Sequence, residues 1–228
     1  MASPWINLPG CPDYILPQDT EVCGPFTGST CKPEHKLRLE LLPEPFIGNP
    51  RAKVILLNLN PGFAETDLED FNAPLLRDLL LRCIREEPTE FPFYYLHPDC
   101  SGGGASWWMK RLRTLMNELD AMTGVRRQRL ANSIAVHEYF PYHSLKFAHE
   151  RLRSVSLDYQ LDCIRQALST GSVVVGMRSR RLWSKVLPEL EENPQVFWCR
   201  NVQQPYITPA NLGDGFEKLV EVLRPCVS

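Results

Sequence analysis

Lys53-Val54-Ile55-Leu56-Leu57-Asn58-Leu59-Asn60-Pro61-Gly62-Phe63 is the stretch on which the fold turns. The apolar run Val54 to Leu57 is entered from Gly48-Asn49-Pro50 and closed by Asn60-Pro61-Gly62. A short unbroken apolar run between turn residues is the pattern of a strand buried on both faces. Polarity returns at its C-terminal end, where an open parallel sheet has its ligand crevice. Pro61 fixes one φ angle and Gly62 lets backbone pass close to a ligand. Asn60 is therefore expected at the sheet rim on a stiff turn. An ordinary strand-to-loop exit accounts for the same residues.

Further along, apolar runs over 133–140, 172–176 and 195–199 predict three more strands. Between them, helical spacing and end signals predict helices over 74–87, 106–122, 156–169, 178–187 and 215–223. Ser106 is the expected cap of the second. Residues 91–96 read as a short strand or a packed loop. The glycine-rich stretch 97–105 lacks phosphate-loop and dinucleotide spacing, and reads as mobile or closely approached backbone. Arg126-Arg127-Gln128-Arg129 reads as a basic segment before a strand. Strands alternating with helices imply an α/β fold: three α/β/α layers about a mainly parallel four-stranded sheet. Residues 1–50, rich in Pro, Gly and Cys, read as an irregular cap. Residues 51–228 read as one domain.

The composition bounds the function. The chain has 228 residues, 43% hydrophobic, with a net charge of −2. That suits a substantial core and excludes a global basic field, so any nucleic acid must be held by a local basic face. No apolar run is long enough to span a bilayer, and the start lacks the pattern of a secretion signal. Eight cysteines without a Cys-x-x-Cys pair read as reduced cytoplasmic thiols. Cys11, Cys23, Cys31 and His35 match no standard zinc spacing. Neither metal nor cofactor is expected.

Two strand-end motifs carry a resemblance. Leu59-Asn60-Pro61-Gly62 resembles the first signature of the uracil-DNA glycosylase superfamily, nearest the mismatch-specific branch, which has Ile-Asn-Pro-Gly. Thr208-Pro209-Ala210-Asn211-Leu212-Gly213 resembles the second, commonly His- or Asn-Pro-Ser-x-Leu. Order, spacing and the α/β pattern agree over roughly residues 44–223. The resemblance implies strand order 2-1-3-4 and a monofunctional DNA glycosylase. Such an enzyme would hydrolyse the N-glycosidic bond of a flipped-out altered pyrimidine. Asn60 would hold the attacking water, and the 208–213 loop would face it, with Leu212 entering the duplex beside Asn211. Phe63, Glu138, Tyr139 and His143 would surround the base. Arg178, Arg180 and Arg181, near the same rim, would grip phosphate. The expected partner is double- or single-stranded DNA, bound by a monomer. A carboxamide accepts protons poorly, so bond breaking would be largely dissociative.

Departures limit what the resemblance implies. Thr208 stands where many members place a histidine that stabilises the leaving base, and Ala210 where they place serine. Glu138 occupies the position at which uracil enzymes commonly have Asn. An ionised Glu138 offers only acceptors and would favour the amino edge of a modified cytosine, as in foreign DNA, implying antiviral defence. A protonated or internally paired Glu138 leaves uracil or a mismatched pyrimidine as the substrate. A catalytically weak nucleic-acid-binding module remains an alternative, as does a small-molecule enzyme using His143 or Glu138. No Gly-x-Ser-x-Gly, His-Glu-x-x-His or phosphate loop supports the latter.

Overall fold

The computed structural model describes residues 2–150 and 152–224. Its strands are β1 (Phe46–Ile47), β2 (Val54–Asn58), β3 (Ile134–Glu138), β4 (Val173–Gly176) and β5 (Val196–Trp198). They form one sheet in the order β1-β3-β2-β4-β5. The last four are parallel to their neighbours, and β1 pairs antiparallel with β3 at one edge. The four expected strands thus stand in the expected order. The fifth, β1, is two residues long and carries no periodicity to read. Every residue of β2, β3 and β4 is buried, as the apolar runs require.

The helices are α1 (Thr20–Cys23), α2 (Asp67–Asp70), α3 (Pro74–Ile84), α4 (Gly103–Glu118), α5 (Gly124–Ser133), α6 (Ser156–Ser169), α7 (Arg180–Val186), α8 (Pro209–Leu212) and α9 (Asp214–Leu223). The chain steps from β2 to β3, then back past β2 to β4. Right-handed crossovers therefore put α4 and α5 on one face and α6 and α7 on the other. Side chains agree. His137 and its cross-strand partner Phe46 look towards Tyr159 of α6, and Tyr139 meets Trp183 of α7 edge-on. Because side chains alternate along a strand, Glu138 looks the opposite way, towards α4. Asn58 lies beside it in register. The reversal at β2 is a topological switch point, and Asn60 leaves the sheet there.

Residues 2–45 form turns and short helices whose apolar side chains, among them Trp5, Tyr14, Leu16 and Leu42, enter the same core as the sheet. Tyr142 ties them down, donating to Asp19 Oδ2 at 2.8 Å and accepting from the Leu16 amide at 3.1 Å. Among the described residues no helix is long and apolar enough to cross a membrane. The described cysteines are free thiols, and no cluster of His, Cys, Asp or Glu there could hold a metal.

Several elements differ from expectation. Helix α4 begins before Ser106, at Gly103. Its cap is Gly102 at φ 103°, where an added Cβ would strike the Asp70 carboxylate that accepts from the Gly103 amide. Gly104 packs on the Tyr95 ring with equally little room. The glycines are thus closely approached backbone. Residues 126–129 lie inside α5, and 91–96 carry only a 3-10 turn, Tyr94–Leu96. Ser179 caps α7, so Arg178 precedes that helix.

Gly176, at the end of β4, supports the Trp198 ring of β5. A Cβ at that position would overlap the six-membered ring. Gly176→Ala is expected to destabilise the fold by about 1–3 kcal/mol, the usual cost of overpacking. Urea denaturation measures it, and an unchanged midpoint would show that the β4–β5 packing yields freely.

Candidate active site

A cavity of about 410 Å³ opens at the C-terminal ends of β2 and β3. Its walls include Phe63, Phe71, Tyr95, Trp107 and Trp108, and its polar groups include Glu44, Asn58, Asn60, Glu138, His143, Ser144 and Arg178. Apolar walls around a few converging polar groups are the usual form of a small-molecule or base pocket.

Asn60 is held from its own turn and from the segment that follows β3. Its Nδ2 donates to Pro61 O at 2.8 Å and to Ser144 Oγ at 3.1 Å. With its donors engaged, the carbonyl oxygen is the atom left to accept from a molecule in the cavity. His143 braces the same turn, with Nδ1 2.8 Å from Gly62 O and Nε2 3.1 Å from Leu42 O. Its ring meets Phe71 edge-on. It is a wall of the cavity whose nitrogens already face backbone.

Glu138 is 2% exposed and Asn58 5%. Asn58 Nδ2 donates to Glu138 Oε1 at 2.8 Å. Asn58 Oδ1 and Glu138 Oε2 are buried without a partner. Burial pushes the Glu138 carboxyl up to about 8; the Asn58 hydrogen bond opposes the rise, Glu44 adds to it and Arg178 opposes it. At neutral pH Glu138 is mainly the neutral acid, so it can donate through one oxygen. The neighbouring His137 faces the other side of the sheet, bound to Pro50 O, where burial lowers it to about 4.

Glu44 is a second buried carboxylate on the cavity wall. It accepts from the hydroxyls of Tyr94 and Tyr95, the latter at 2.7 Å, and His143 Nε2 lies 3.9 Å away. The phenols cannot serve as acids near neutral pH, since burial and Glu44 raise both far above their ordinary value.

Of the residues expected at the site, Asn60, Phe63, Glu138, His143 and Arg178 line one cavity. Tyr139 does not, because strand alternation turns it onto Trp183. Thr208 caps α8, accepting from the Asn211 amide. Asn211 is a loop clamp: Oδ1 accepts from the Asn201 amide at 2.7 Å, and Nδ2 donates to Tyr206 O at 2.9 Å. Leu212 is 7% exposed and packs in the core. The 208–213 loop therefore does not line the cavity, whereas Trp107 and Arg178 do. Arg180 is paired with Glu191 and Arg181 with Glu150, which lessens the positive charge either offers to DNA.

Sequence reasoning missed Glu44, Asn58, Tyr95, Trp107 and Ser144. Asn58 gave a signal, a polar residue closing a buried strand. Glu44 gave none, lying in an aperiodic Pro-rich segment. Compared with known proteins, the chain matches no protein-family model, no curated protein and no solved structure.

Proposed function

We propose that this protein is a monofunctional DNA glycosylase that receives a flipped-out pyrimidine in the cavity at the β2 and β3 ends. The observation that carries the reading is the joint placement of a braced Asn60 carboxamide and the buried Asn58–Glu138 pair in one aromatic-walled cavity. The aromatic rings would hold the base by its faces, and Asn58 with Glu138 would meet its polar edge. Asn60 would accept a hydrogen bond from water and aim it at C1′. Asn60 cannot take a proton strongly, so the glycosidic bond would break ahead of attack. The base would leave with the bonding electron pair, the water would bond to C1′ of the positive sugar, and its surplus proton would pass to solvent or to the departing base. The likeness of Leu59–Gly62 to the uracil-DNA glycosylase signature supports the same reading.

Two observations favour a second reading, a nucleic-acid-binding module with weak or absent catalysis. Thr208 offers no imidazole to a leaving base, and Leu212 is packed inside the fold. The experiment that separates the two is incubation with oligonucleotides carrying uracil, thymine opposite guanine, or 5-modified cytosine, followed by alkali to cut abasic sites. Strand breaks at the altered base are expected with catalytic turnover. Binding to the same DNAs without any abasic product would establish the second reading.

A further inference from the structure

We propose that Arg111 and Arg178, grouped about the Trp107 ring, form a seat for a phosphate beside the base cavity. The Arg111 guanidinium carbon lies 3.8 Å from the Trp107 ring centroid and 5.4 Å from that of Tyr206. The Arg178 guanidinium carbon lies 5.7 Å from the Trp107 centroid. Arg178 and Trp107 are both cavity wall. Neither arginine has a carboxylate within ion-pairing distance among the described residues, whereas Arg38, Arg51, Arg180 and Arg181 each have one. Both Nε atoms are buried without a hydrogen-bond partner.

Two guanidiniums drawn together and partly desolvated without a counter-ion are unfavourable. Burial lowers Arg111 from its ordinary value; Tyr206 opposes the fall and Arg178 adds to it. An anion between them would relieve the repulsion. Planar guanidinium forks match the oxygens of a phosphate, as they do those of a carboxylate, with paired hydrogen bonds. The position fits a nucleotide: Glu138, Arg178 and Trp107 line one cavity, so a base meeting Glu138 has Arg178 and Trp107 on the same walls. The source of the phosphate, a DNA strand rather than a free nucleotide, rests on the glycosylase reading; the seat itself does not.

The test uses the full chain and three probes: a fluorescent single-stranded deoxyoligonucleotide, a deoxynucleoside monophosphate and inorganic phosphate. Arg111→Gln and Arg178→Gln are each expected to weaken oligonucleotide binding about tenfold, the loss expected of one charge-assisted contact. Each should also lower the slope of log affinity against log salt by about one. Arg111→Lys, which keeps charge but not the fork, should lose less and serves if the glutamine variant does not fold. Arg180→Ala and Arg181→Ala, whose charges are paired with Glu191 and Glu150, should each weaken binding less than Arg111→Gln does. Oligonucleotide binding with an unaltered slope in both Arg111 and Arg178 variants would overturn the seat while leaving the glycosylase reading intact. Binding of the monophosphate alone, lost on Arg111→Gln, would uphold the seat and count against the glycosylase reading. Binding of none of the three probes by the wild type would overturn the seat.

Discussion

Asn60→Ala is expected to slow base release by about 10²-fold or more, at a cost of about 2 kcal/mol in stability. The expected size is that of losing one group that positions a reactant. Pro61 O and Ser144 Oγ occupy the Asn60 donors and hold its carbonyl oxygen at one orientation. Alanine removes that acceptor and nothing takes its place. The same change removes two partly buried hydrogen bonds, each worth about 1 kcal/mol net. The midpoint of urea unfolding should therefore fall by the equivalent of about 2 kcal/mol. A purely structural Asn60 predicts the same loss of stability with near-normal release. Single-turnover rates on the folded variant separate the two, and full activity would remove Asn60 from the mechanism. Ser144→Ala is the companion variant. It frees one Asn60 donor without touching the acceptor, so it should slow release less than Asn60→Ala.

The fold was largely legible because its strands are buried on both faces. Val54–Leu57 and Val173–Val175 have no polar face to confuse with a helix, and the turns beside them carry Pro or Gly. What escaped was whatever tertiary contact alone decides. Phe46–Ile47 becomes a strand only because β3 presents a free edge. The basic run 126–129 became helix because α5 buries Leu130 and Ala131, a face too narrow to show as a period. The site was half legible for the same reason. Asn60 and Glu138 sit at strand ends that the pattern located. Glu44 and Trp107 reach the cavity from a coil and from a helix whose orientation no sequence period states. The 208–213 motif shows the reverse failure. Its residues look like a DNA-facing loop, yet Asn211 is consumed in closing the loop on Asn201 and Tyr206.

Release of a uracil-type base should hold below about pH 8 and fall roughly tenfold per pH unit above it, the behaviour of a single essential acid. Under the glycosylase proposal, Glu138 sets that limit. Burial holds its carboxyl at about 8 against an ordinary value of 4.5. While protonated, it offers a donor beside the Asn58 Oδ1 acceptor. A uracil or thymine edge answers with its C4 carbonyl and its N3–H. Ionisation turns the pair into two acceptors, which that edge cannot satisfy but an amino-bearing cytosine edge can approach. The modified-cytosine reading needs the ionised form and so is disfavoured at neutral pH. Glu138→Gln keeps a donor at every pH, so it should retain uracil release and lose the alkaline fall. Stability follows the same proton. A carboxyl raised in the folded state contributes stability that is fully present below about pH 4.5 and lost as pH rises through about 8. The wild type should weaken relative to Glu138→Gln across that window, by an amount on the order of a few kcal/mol. Urea midpoints and release rates at a series of pH values measure both effects. Rates for wild type and Glu138→Gln that fall together above pH 8 would place the titrating acid elsewhere. Efficient release of modified cytosine with uracil untouched would show that Glu138 reads the base as a carboxylate.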